Sequence, residues 1–345
     1  MRIATYNVEW FTNLFDDQNR LMADQSWSAR YKVKRTDQAN ALAHVFRKID
    51  ADAVLIVEAP NTDKKRSSVQ ALQNFASRFG LRQSRAVTGF ESHTDQELTV
   101  LYDPDILKMH HDPKGEISDG GTITRSPRFD GKFKLDVDVD GQPDVHVFSK
   151  PPVELAVTHH ASGKTIRLIG VHAKSKAPHG ARNRREATEM SINNRRKQLA
   201  QCIWLRERVE DHLSADDSLI VLGDLNDGPG LDGYEKLFGK SSVEIVLGSA
   251  DNPETHLKEP NAEIWLDPRQ GWSVSTARFY SKQHKRYLNA LLDYVMLSPD
   301  LVADHAPKWR IFHPFDDPAC FNDPKMQTAL LTASDHFPVC VDLGF

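Results

Sequence analysis

The 345-residue chain has only three cysteines, Cys202, Cys320 and Cys340, and they are widely spaced. No Cys-x-x-Cys pair or zinc-type spacing occurs, so we expect buried free thiols in a reducing compartment. No apolar run reaches the ~18 residues that a membrane-spanning helix needs. The net charge of −4 argues against a protein that coats nucleic acid with a uniformly basic surface. A local basic patch remains compatible with that charge.

The sequence also has no internal repeat, no low-complexity linker and no compositional break between two domains. It runs from Met1 directly into a strand-like segment, without the basic and then apolar residues of a secretory leader. We therefore expect a cytoplasmic protein whose residues 1–345 form one domain with a substantial core. No segment indicates an obligate protein partner.

Short apolar runs alternate with helical patterns along the chain. Thr36 is expected to cap a helix whose apolar positions continue to Ile49, and a second amphipathic helix is expected from Val69 to Phe79. Alternating apolar residues around Asp140-Gly141 predict a β-hairpin. A long helix is expected at 183–211. The predicted strands are 2–8, 53–58, 98–102, 153–158, 165–171, 219–222, 291–297 and 337–343.

Two segments interrupt this alternation. The pattern of residues 9–35 predicts a long loop. This loop contains five aromatic residues, which is more than a disordered segment usually has. Loops of that length in compact domains are usually functional. Residues 249–290 are polar and predict an irregular insertion. The aromatic residues of the first segment are Trp10, Phe11, Phe15, Trp27 and Tyr31.

Polar residues recur where the apolar strands begin or end. A single aspartate in such a place usually caps a turn, so the prediction rests on the repetition. Loops at strand ends meet at one rim of an α/β fold, which is where active sites form. Carboxylates with an imidazole are what metal-assisted hydrolysis of a phosphate ester requires. The residues are Asn7, Glu58, His172, Asp224, Asn226, Asp293, Asp335 and His336.

The segments around these residues resemble, in family order, the motifs of the endonuclease/exonuclease/phosphatase superfamily, which has the deoxyribonuclease I-like fold. This resemblance implies a four-layer α/β/β/α sandwich of two mixed β-sheets flanked by helices, with the active site at one end of the sheets. Glu9-Trp10-Phe11 and the long loop after it are more similar to bacterial members than to abasic-site repair enzymes. The matching segments are Thr5-Tyr6-Asn7-Val8, Ile56-Val57-Glu58, Gly170-Val171-His172, Gly223-Asp224-Leu225-Asn226, Leu292-Asp293-Tyr294-Val295 and Ser334-Asp335-His336-Phe337-Pro338.

The resemblance implies a metal site made of oxygen ligands. Glu58 resembles the principal ligand, and Asn7 its partner. Asp335 and Asp224 resemble further carboxylates on the metal side. Oxygen ligands suit Mg²⁺ or Mn²⁺ and would be poor for zinc, so one of these two ions is the expected cofactor.

The resemblance also implies the catalytic groups. His336 resembles the catalytic histidine, and Asp293 the carboxylate that orients its ring and favours the imidazolium. His172 resembles a second histidine that stabilises charge or protonates the leaving oxygen. Asp224 and Asn226 occupy positions where family members hold the attacking water and the phosphate.

A single in-line displacement by water at phosphorus, without a covalent intermediate, is the mechanism that the resemblance implies. Asp224 and His336 both remain candidates for the general base. Phosphate oxygens are expected to contact Asn7 and Asn226. Lys174, just beyond His172, either joins them or is a solvated loop charge.

Two departures and one charge pattern bear on the substrate. Where many relatives have Arg-Pro-Pro, this chain has Lys150-Pro151-Pro152, so Arg125 or Arg128 could supply the arginine instead. Residues 164–208 contain twelve basic and three acidic residues by direct count. Such a run is usually a solvated helix face, but this one leads away from the expected site and could bind nucleic acid.

The leading hypothesis is a divalent-metal-dependent hydrolase, a nuclease-type phosphodiesterase. The alternative is a phosphatase or phospholipase C-like enzyme acting on inositol phosphates or sphingomyelin-like substrates, with the loop at 9–35 as a headgroup-binding element. A third hypothesis is an inert scaffold that keeps the fold for binding, which the complete set of site residues disfavours.

Overall fold

A computed structural model describes residues 1–92, 94–137, 141–178, 180–228, 239–266, 274–281 and 285–345. The strands are β1 (Arg2–Asn7), β2 (Ala53–Ala59), β3 (Arg85–Thr88), β4 (Glu97–Tyr102), β5 (Leu107–His111), β6 (Phe133–Leu135), β7 (Asp144–His146), β8 (Val153–His159), β9 (Thr165–His172), β10 (Leu219–Asp224), β11 (Ala277–Ser281), β12 (Arg286–Ala290), β13 (Asp293–Leu297), β14 (Lys308–Ile311) and β15 (Val339–Asp342). The α-helices are α1 (Arg35–Ile49), α2 (Ser68–Phe79), α3 (Arg184–Ser214), α4 (Ser242–Leu247), α5 (Pro260–Leu266), α6 (Pro299–His305), α7 (Pro318–Phe321) and α8 (Pro324–Ala333).

Two large mixed sheets contain most of these strands. The first has six strands in the order β14-β15-β1-β2-β4-β3, and the second has five in the order β13-β10-β9-β8-β5. In each sheet one central pair is parallel, β1 with β2 and β9 with β10. The hairpins β6–β7 and β11–β12 lie outside both sheets.

Three hydrophobic cores define four layers. Side chains such as Leu55, Leu168 and Ile220 form the core between the two sheets. Phe46 of α1 and Phe75 of α2 belong to a second core, with α8, on the outer face of the six-stranded sheet. A third core, which includes Trp204 of α3 and residues of α4, covers the outer face of the other sheet. The predicted α/β/β/α sandwich is therefore confirmed.

Local chemistry explains where the helices begin and end. Asn183 caps α3 by accepting a hydrogen bond from the backbone N–H of Glu186. Ser67 caps α2 in the same way, and Gly80 ends that helix in the left-handed conformation. The expectation that Thr36 caps α1 is wrong, because that helix begins at Arg35 after Lys34 and has no side-chain cap. No described helix is long and apolar enough to cross a bilayer.

The loop at 9–35 is anchored to the protein core by its aromatic residues. It contains a short 3-10 helix, Phe11–Leu14. Phe11 and Phe15 are buried and pack edge-to-face with each other, and Phe11 also contacts Phe75 of α2. Trp27 and Tyr31 are exposed. The loop is therefore held at its first half and presents aromatic rings to solvent in its second half.

The prediction that 249–290 is an irregular insertion is wrong for much of its described part. Helix α5 begins with Pro260 in its first turn, a position that suits the fixed φ of proline. Strands β11 and β12 pair in an antiparallel hairpin. Neither Ala-Arg-Phe-Tyr-Ser nor Arg-Tyr-Leu-Asn-Ala alternates apolar and polar residues, so the two-residue period of a strand could not indicate this hairpin. Of the hairpin expected around Asp140, β6 and β7 pair, but 138–140 lie outside the described residues.

Candidate active site

Strand register brings the predicted site residues to one edge of the sandwich. In the five-stranded sheet, Asp224 at the end of β10 lies opposite His172 on β9 and opposite Asp293 on β13. In the six-stranded sheet, β1 and β2 run parallel and end at Asn7 and beside Glu58. The two sheets face each other, so these side chains meet across the edge.

A cavity of about 440 Å³ opens at this edge. It brings together every predicted site residue except Asp293, which lies behind His336. A larger depression, about 570 Å³, lies between α1 and α8, but Asp37 is the one carboxylate among its described lining residues. The cavity of about 440 Å³ is lined by Asn7, Glu9, Trp10, Glu58, Thr94, Gln96, Ser149, Lys150, His172, Ala173, Lys174, Ser175, Asp224, Asn226, Asp335 and His336.

His336 and Asp293 form a buried imidazole–carboxylate pair. The distance between His336 Nδ1 and Asp293 Oδ2 is 2.8 Å. Burial by itself would lower the pKa of His336, but the adjacent Asp293 carboxylate raises it well above the ordinary value. The pair can therefore hold a protonated ring with Nε2 directed away from Asp293, which suits proton transfer or stabilisation of anionic oxygen.

Asp224 is buried and held by two donors. Its Oδ1 accepts the backbone N–H of Asn226 at 2.7 Å, and its Oδ2 accepts Nδ2 of Asn7 at 3.0 Å. Burial, with the nearby charge of Asp293, raises the pKa of Asp224 to about 7. A carboxyl group with this pKa can exchange a proton near neutral pH, as a general base must.

Glycine is required immediately before Asp224. Gly223 has a φ of 133°, and a Cβ at that position would lie 2.0 Å from the carbonyl oxygen of Val171. The close approach of β10 and β9 at this point places Asp224 and His172 side by side. The glycine of the Gly-Asp-Leu-Asn segment is therefore explained by strand packing.

His172 has a basic neighbour as well as an acidic one. Its Nδ1 lies 3.3 Å from Lys150 Nζ, and its Nε2 lies 3.8 Å from Asp224 Oδ2. Burial, together with the positive charge of Lys150, lowers the pKa of His172 well below the ordinary value. The geometry and the electrostatics both favour a neutral ring that accepts at Nδ1 and donates at Nε2.

Glu58 adopts an unusual backbone conformation at the end of β2. Its φ is 61°, and the pairing of β2 with β4 shifts register between Val57 and Ala59. Its Oε2 accepts the backbone N–H of Trp10 at 2.8 Å. Trp10 and Asn226 also have left-handed backbones. Non-glycine residues of this kind cluster at functional sites, where the surrounding fold stabilises the strained conformation.

The residues around Glu58 fit a hard divalent cation. Burial raises the pKa of Glu58, with Asp335 adding to the rise, so this carboxylate lacks full compensation of its charge. The other predicted ligands in the cavity, Asn7, Asp224 and Asp335, offer oxygen atoms. Among the described residues, a compact cluster of three potential ligand atoms is formed by Asp224, Asp293 and His336. In that cluster His336 Nδ1 is already bonded to Asp293, so Glu58 is the better centre for a cation.

Two charged residues that the sequence did not indicate support the acidic side of the cavity. Arg30, from the loop at 9–35, is largely buried and forms an ion pair with Glu9. Glu9 in turn accepts the backbone N–H of Asp335 at 3.2 Å. Arg30 Nη1 lies 4.0 Å from Asp335 Oδ1. The long loop thus holds the Ser-Asp-His segment in place, a contact that only the tertiary fold reveals.

The replacement for the missing arginine is Lys150 itself. Lys150 lines the cavity between Glu58 and His172, and burial lowers its pKa. The suggestion that Arg125 or Arg128 takes that place is wrong. Arg125 donates to Glu210, and Arg128 pairs with Asp130, so both guanidinium groups are engaged elsewhere.

Only part of the basic stretch at 164–208 can meet a substrate, because several of its cations form buried ion pairs. Arg195 binds Asp227, and Arg208 binds Glu154 in the protein interior. Lys176 also binds Asp227. Lys174, by contrast, lines the cavity. The exposed basic residues of the stretch include Arg182, Arg184, Arg185 and Lys197.

Comparison with known proteins agrees with this architecture. Residues 4–336 match the model of the Endonuclease/Exonuclease/phosphatase family, and the chain belongs to that family. Members are hydrolases that act on phosphoester bonds and generally depend on divalent metal ions. A comparison with curated protein sequences finds no match.

The solved structures that are similar to this chain have low sequence identity to it. D. rerio TDP2 complexed with single-strand DNA product is 12% identical, with a TM-score of 0.51, over 100% of this chain and 99% of that one. The human Nocturnin catalytic domain with bound sulfate is 13% identical, with a TM-score of 0.49, over 99% and 94% of the two chains. An endonuclease/exonuclease/phosphatase protein from Bacteroides vulgatus is 13% identical, with a TM-score of 0.48, over 100% and 98%.

Proposed function

We propose that this protein is a divalent-metal-dependent phosphodiesterase of nuclease type. The observation that carries the proposal is the 2.8 Å His336–Asp293 pair at the same edge of the sandwich as the partly buried carboxylate of Glu58. A cation-binding carboxylate and an oriented imidazole are the two elements that hydrolysis of a phosphodiester by water requires.

Glu58 is the principal ligand of Mg²⁺ or Mn²⁺ in this proposal, with Asn7, Asp335 and Asp224 as further oxygen donors. When bound, such an ion neutralises charge on the phosphoryl oxygens and polarises the ester. The donor set supports either ion, because all four side chains present oxygen.

The remaining residues bind the phosphate and manage protons. Asn226 and Asn7 donate amide hydrogens to phosphate oxygens, and Lys174 supplies a positive charge at the cavity wall. His172, neutral and donating from Nε2, stabilises an oxygen of the phosphate or of the leaving group. Asp224 or the His336–Asp293 pair accepts the proton of the attacking water in a single in-line displacement.

Single-strand or nicked nucleic acid is the substrate we favour. The complex of D. rerio TDP2 with single-strand DNA product, on a related fold, supports this choice. The exposed cations at the start of α3 could add attraction to a polyanion, although the interior arginines of 164–208 cannot. A cytoplasmic location remains part of the proposal, since all three cysteines are buried and unpaired.

A panel of DNA, RNA, bis-p-nitrophenyl phosphate and inositol polyphosphates, assayed with Mg²⁺ and with Mn²⁺, tests the proposal. We expect metal-dependent cleavage of oligonucleotides on a gel and hydrolysis of the diester. His336→Ala and Glu58→Ala should each abolish both activities without unfolding the protein. Full activity of His336→Ala would refute the assignment, and an enzyme inactive on the whole panel would indicate an inert scaffold.

A phosphatase or phospholipase C-like enzyme is the second candidate. The exposed Trp27 and Tyr31 in the loop at 9–35 favour it, because aromatic rings of this kind contact lipid headgroups. Release of inorganic phosphate from inositol polyphosphates, or hydrolysis of sphingomyelin, without oligonucleotide cleavage would favour this alternative.

A further inference from the structure

The hairpin β11–β12 projects from the active-site edge. The backbone N–H of Arg278 donates to the carbonyl oxygen of Asp335 at 2.7 Å, and Ala277 forms an isolated bridge with His336. The backbone N–H of Phe337 donates to the carbonyl oxygen of Thr276. The base of the hairpin is therefore fixed directly to the segment that contains the proposed catalytic histidine.

One face of this hairpin is aromatic and exposed. Tyr280 and Tyr287 lie opposite each other in the register, so their side chains share a face, together with Arg278 and Asn289. Tyr280 and Tyr287 are 53% and 55% exposed as residues, and their rings make an edge contact with centroids 5.4 Å apart. Two adjacent tyrosines this exposed bury little area in the protein, so their rings are available to a ligand.

A guanidinium group extends the aromatic face. Arg278 Cζ lies 3.9 Å from the centroid of Tyr287 and 5.3 Å from that of Phe315, which is itself exposed. The described hairpin residues, 277–281 and 285–290, contain Arg278, Lys285 and Arg286 and no carboxylate. The face therefore combines flat rings with positive charge and complements a polyanion that has aromatic groups.

We propose that this aromatic face of the hairpin, Arg278, Tyr280 and Tyr287, binds the unpaired bases of a single-stranded nucleic acid whose scissile phosphate lies at His336. The inference rests on the proposed nuclease function and narrows its substrate class. Bases stack on tyrosine rings whatever their sequence, while arginine contacts the backbone or extends the stack. In a base-paired duplex these base surfaces are stacked inside the helix, so the aromatic face of the hairpin adds no affinity for a duplex. The four side chains of this face include no aliphatic residue, so the face offers rings and positive charge but no hydrocarbon surface to insert into a bilayer.

Equilibrium binding tests the proposal separately from catalysis. The full-length protein in EDTA, which prevents metal-dependent cleavage, is titrated against fluorescein-labelled oligo(dT) of about twelve nucleotides, followed by fluorescence anisotropy. Tyr280→Ala/Tyr287→Ala should raise the Kd by about tenfold or more, as expected for lost base stacking. Tyr280→Phe/Tyr287→Phe keeps the rings and should restore wild-type binding.

Phe321→Ala provides a matched control, because Phe321 is 55% exposed, like Tyr287, but belongs to α7 and not to the hairpin. It should leave the Kd unchanged. A blunt duplex of the same length should bind equally to the wild type and the double alanine variant. Thermal unfolding of each variant shows whether the fold is retained.

The proposal is overturned by a wild-type protein that does not bind the oligonucleotide, by a folded double alanine variant that binds it normally, or by equal losses of affinity for single strand and duplex. A double alanine variant that loses binding to phosphatidylcholine–phosphatidylserine vesicles but keeps its binding to the oligonucleotide would identify a lipid contact. That result would also overturn the proposal. Hydrolysis of bis-p-nitrophenyl phosphate by the wild type reports the proposed function independently. If the wild type hydrolyses the diester but the double alanine variant binds the oligonucleotide as tightly as the wild type, the proposed binding surface is refuted. The proposed phosphodiesterase function is then still supported.

Discussion

Replacing Asp293 by asparagine removes one charge from the site and almost no volume. Asp293 is buried, and its Oδ2 makes the 2.8 Å contact with His336 Nδ1. Its backbone N–H donates to Thr276 Oγ1, a bond that the substitution leaves in place. Asp293→Asn should therefore keep the fold while the His336 ring loses the carboxylate that raises its pKa.

The size of the effect follows from what the pair does. Oriented general acid–base groups contribute about 10²- to 10⁴-fold to rate, so kcat should fall by that range with KM within about threefold. A second effect has a definite sign. Because the negative charge of Asp293 raises the pKa of His336, its removal should lower that pKa. The limb of the pH–rate profile that reports His336 should then shift to lower pH.

Steady-state kinetics on bis-p-nitrophenyl phosphate over a range of pH measures both effects. Asp217→Asn is the matched control, because Asp217 Oδ2 also lies 2.8 Å from a histidine, Nδ1 of His212, and neither residue lines the cavity. The control should retain wild-type kcat. If Asp293→Asn loses less than about threefold in kcat while remaining folded, the role of the His336–Asp293 pair is disproved.

Three further predictions concern the metal, the strand packing and a buried acid. Glu58→Gln should weaken Mn²⁺ binding at least about tenfold, as measured by isothermal titration calorimetry. Unchanged affinity would show that Glu58 is not a ligand of the metal. Gly223→Ala should destabilise the protein by about 3 kcal/mol in urea unfolding, whereas Gly163→Ala, with open space around it, should cost about 1 kcal/mol. Glu259 is fully buried, and burial raises its pKa from 4.5 to about 7, so it destabilises the fold as pH rises through that interval. Glu259→Gln should remove about 3 kcal/mol of that pH dependence, and an unchanged stability profile from pH 5 to 8 would show that Glu259 is not perturbed.

Much of the fold and the location of the proposed site residues could be predicted because both depend on short-range patterns. The buried strands β1, β2 and β10 are apolar runs, and each ends at or beside a polar residue, Asn7, Glu58 or Asp224. Such runs mark strand ends to within a few residues, and parallel neighbours place those ends at one edge. The predicted cluster therefore followed from local sequence together with the order of the motifs.

The residues that support the cluster could not be predicted in this way. Arg30 reaches Glu9 and approaches Asp335 because the loop at 9–35 folds back over the edge, and nothing in its local sequence sets that path. The sequence indicates Lys150 only as the substitute for an arginine. Its contact with His172 depends on how the segment before β8 crosses the cavity. Contacts between residues far apart in sequence carry no periodic signal.

The basic stretch at 164–208 shows why charge counted along a sequence is a poor guide to a binding surface. Arginine is long enough to cross a helix–sheet interface, and its guanidinium group can satisfy several acceptors there. Arg208 donates to Glu154 and to the carbonyl oxygens of Ser126 and Pro127, while Arg195 donates to Gln198 and Asp227. Gln198 in turn donates to the carbonyl oxygens of Leu225 and Asn226, so this interior network holds the Gly-Asp-Leu-Asn loop against α3. These cations contribute to positioning the site, and attraction for a polyanionic substrate has to come from exposed groups nearer the cavity.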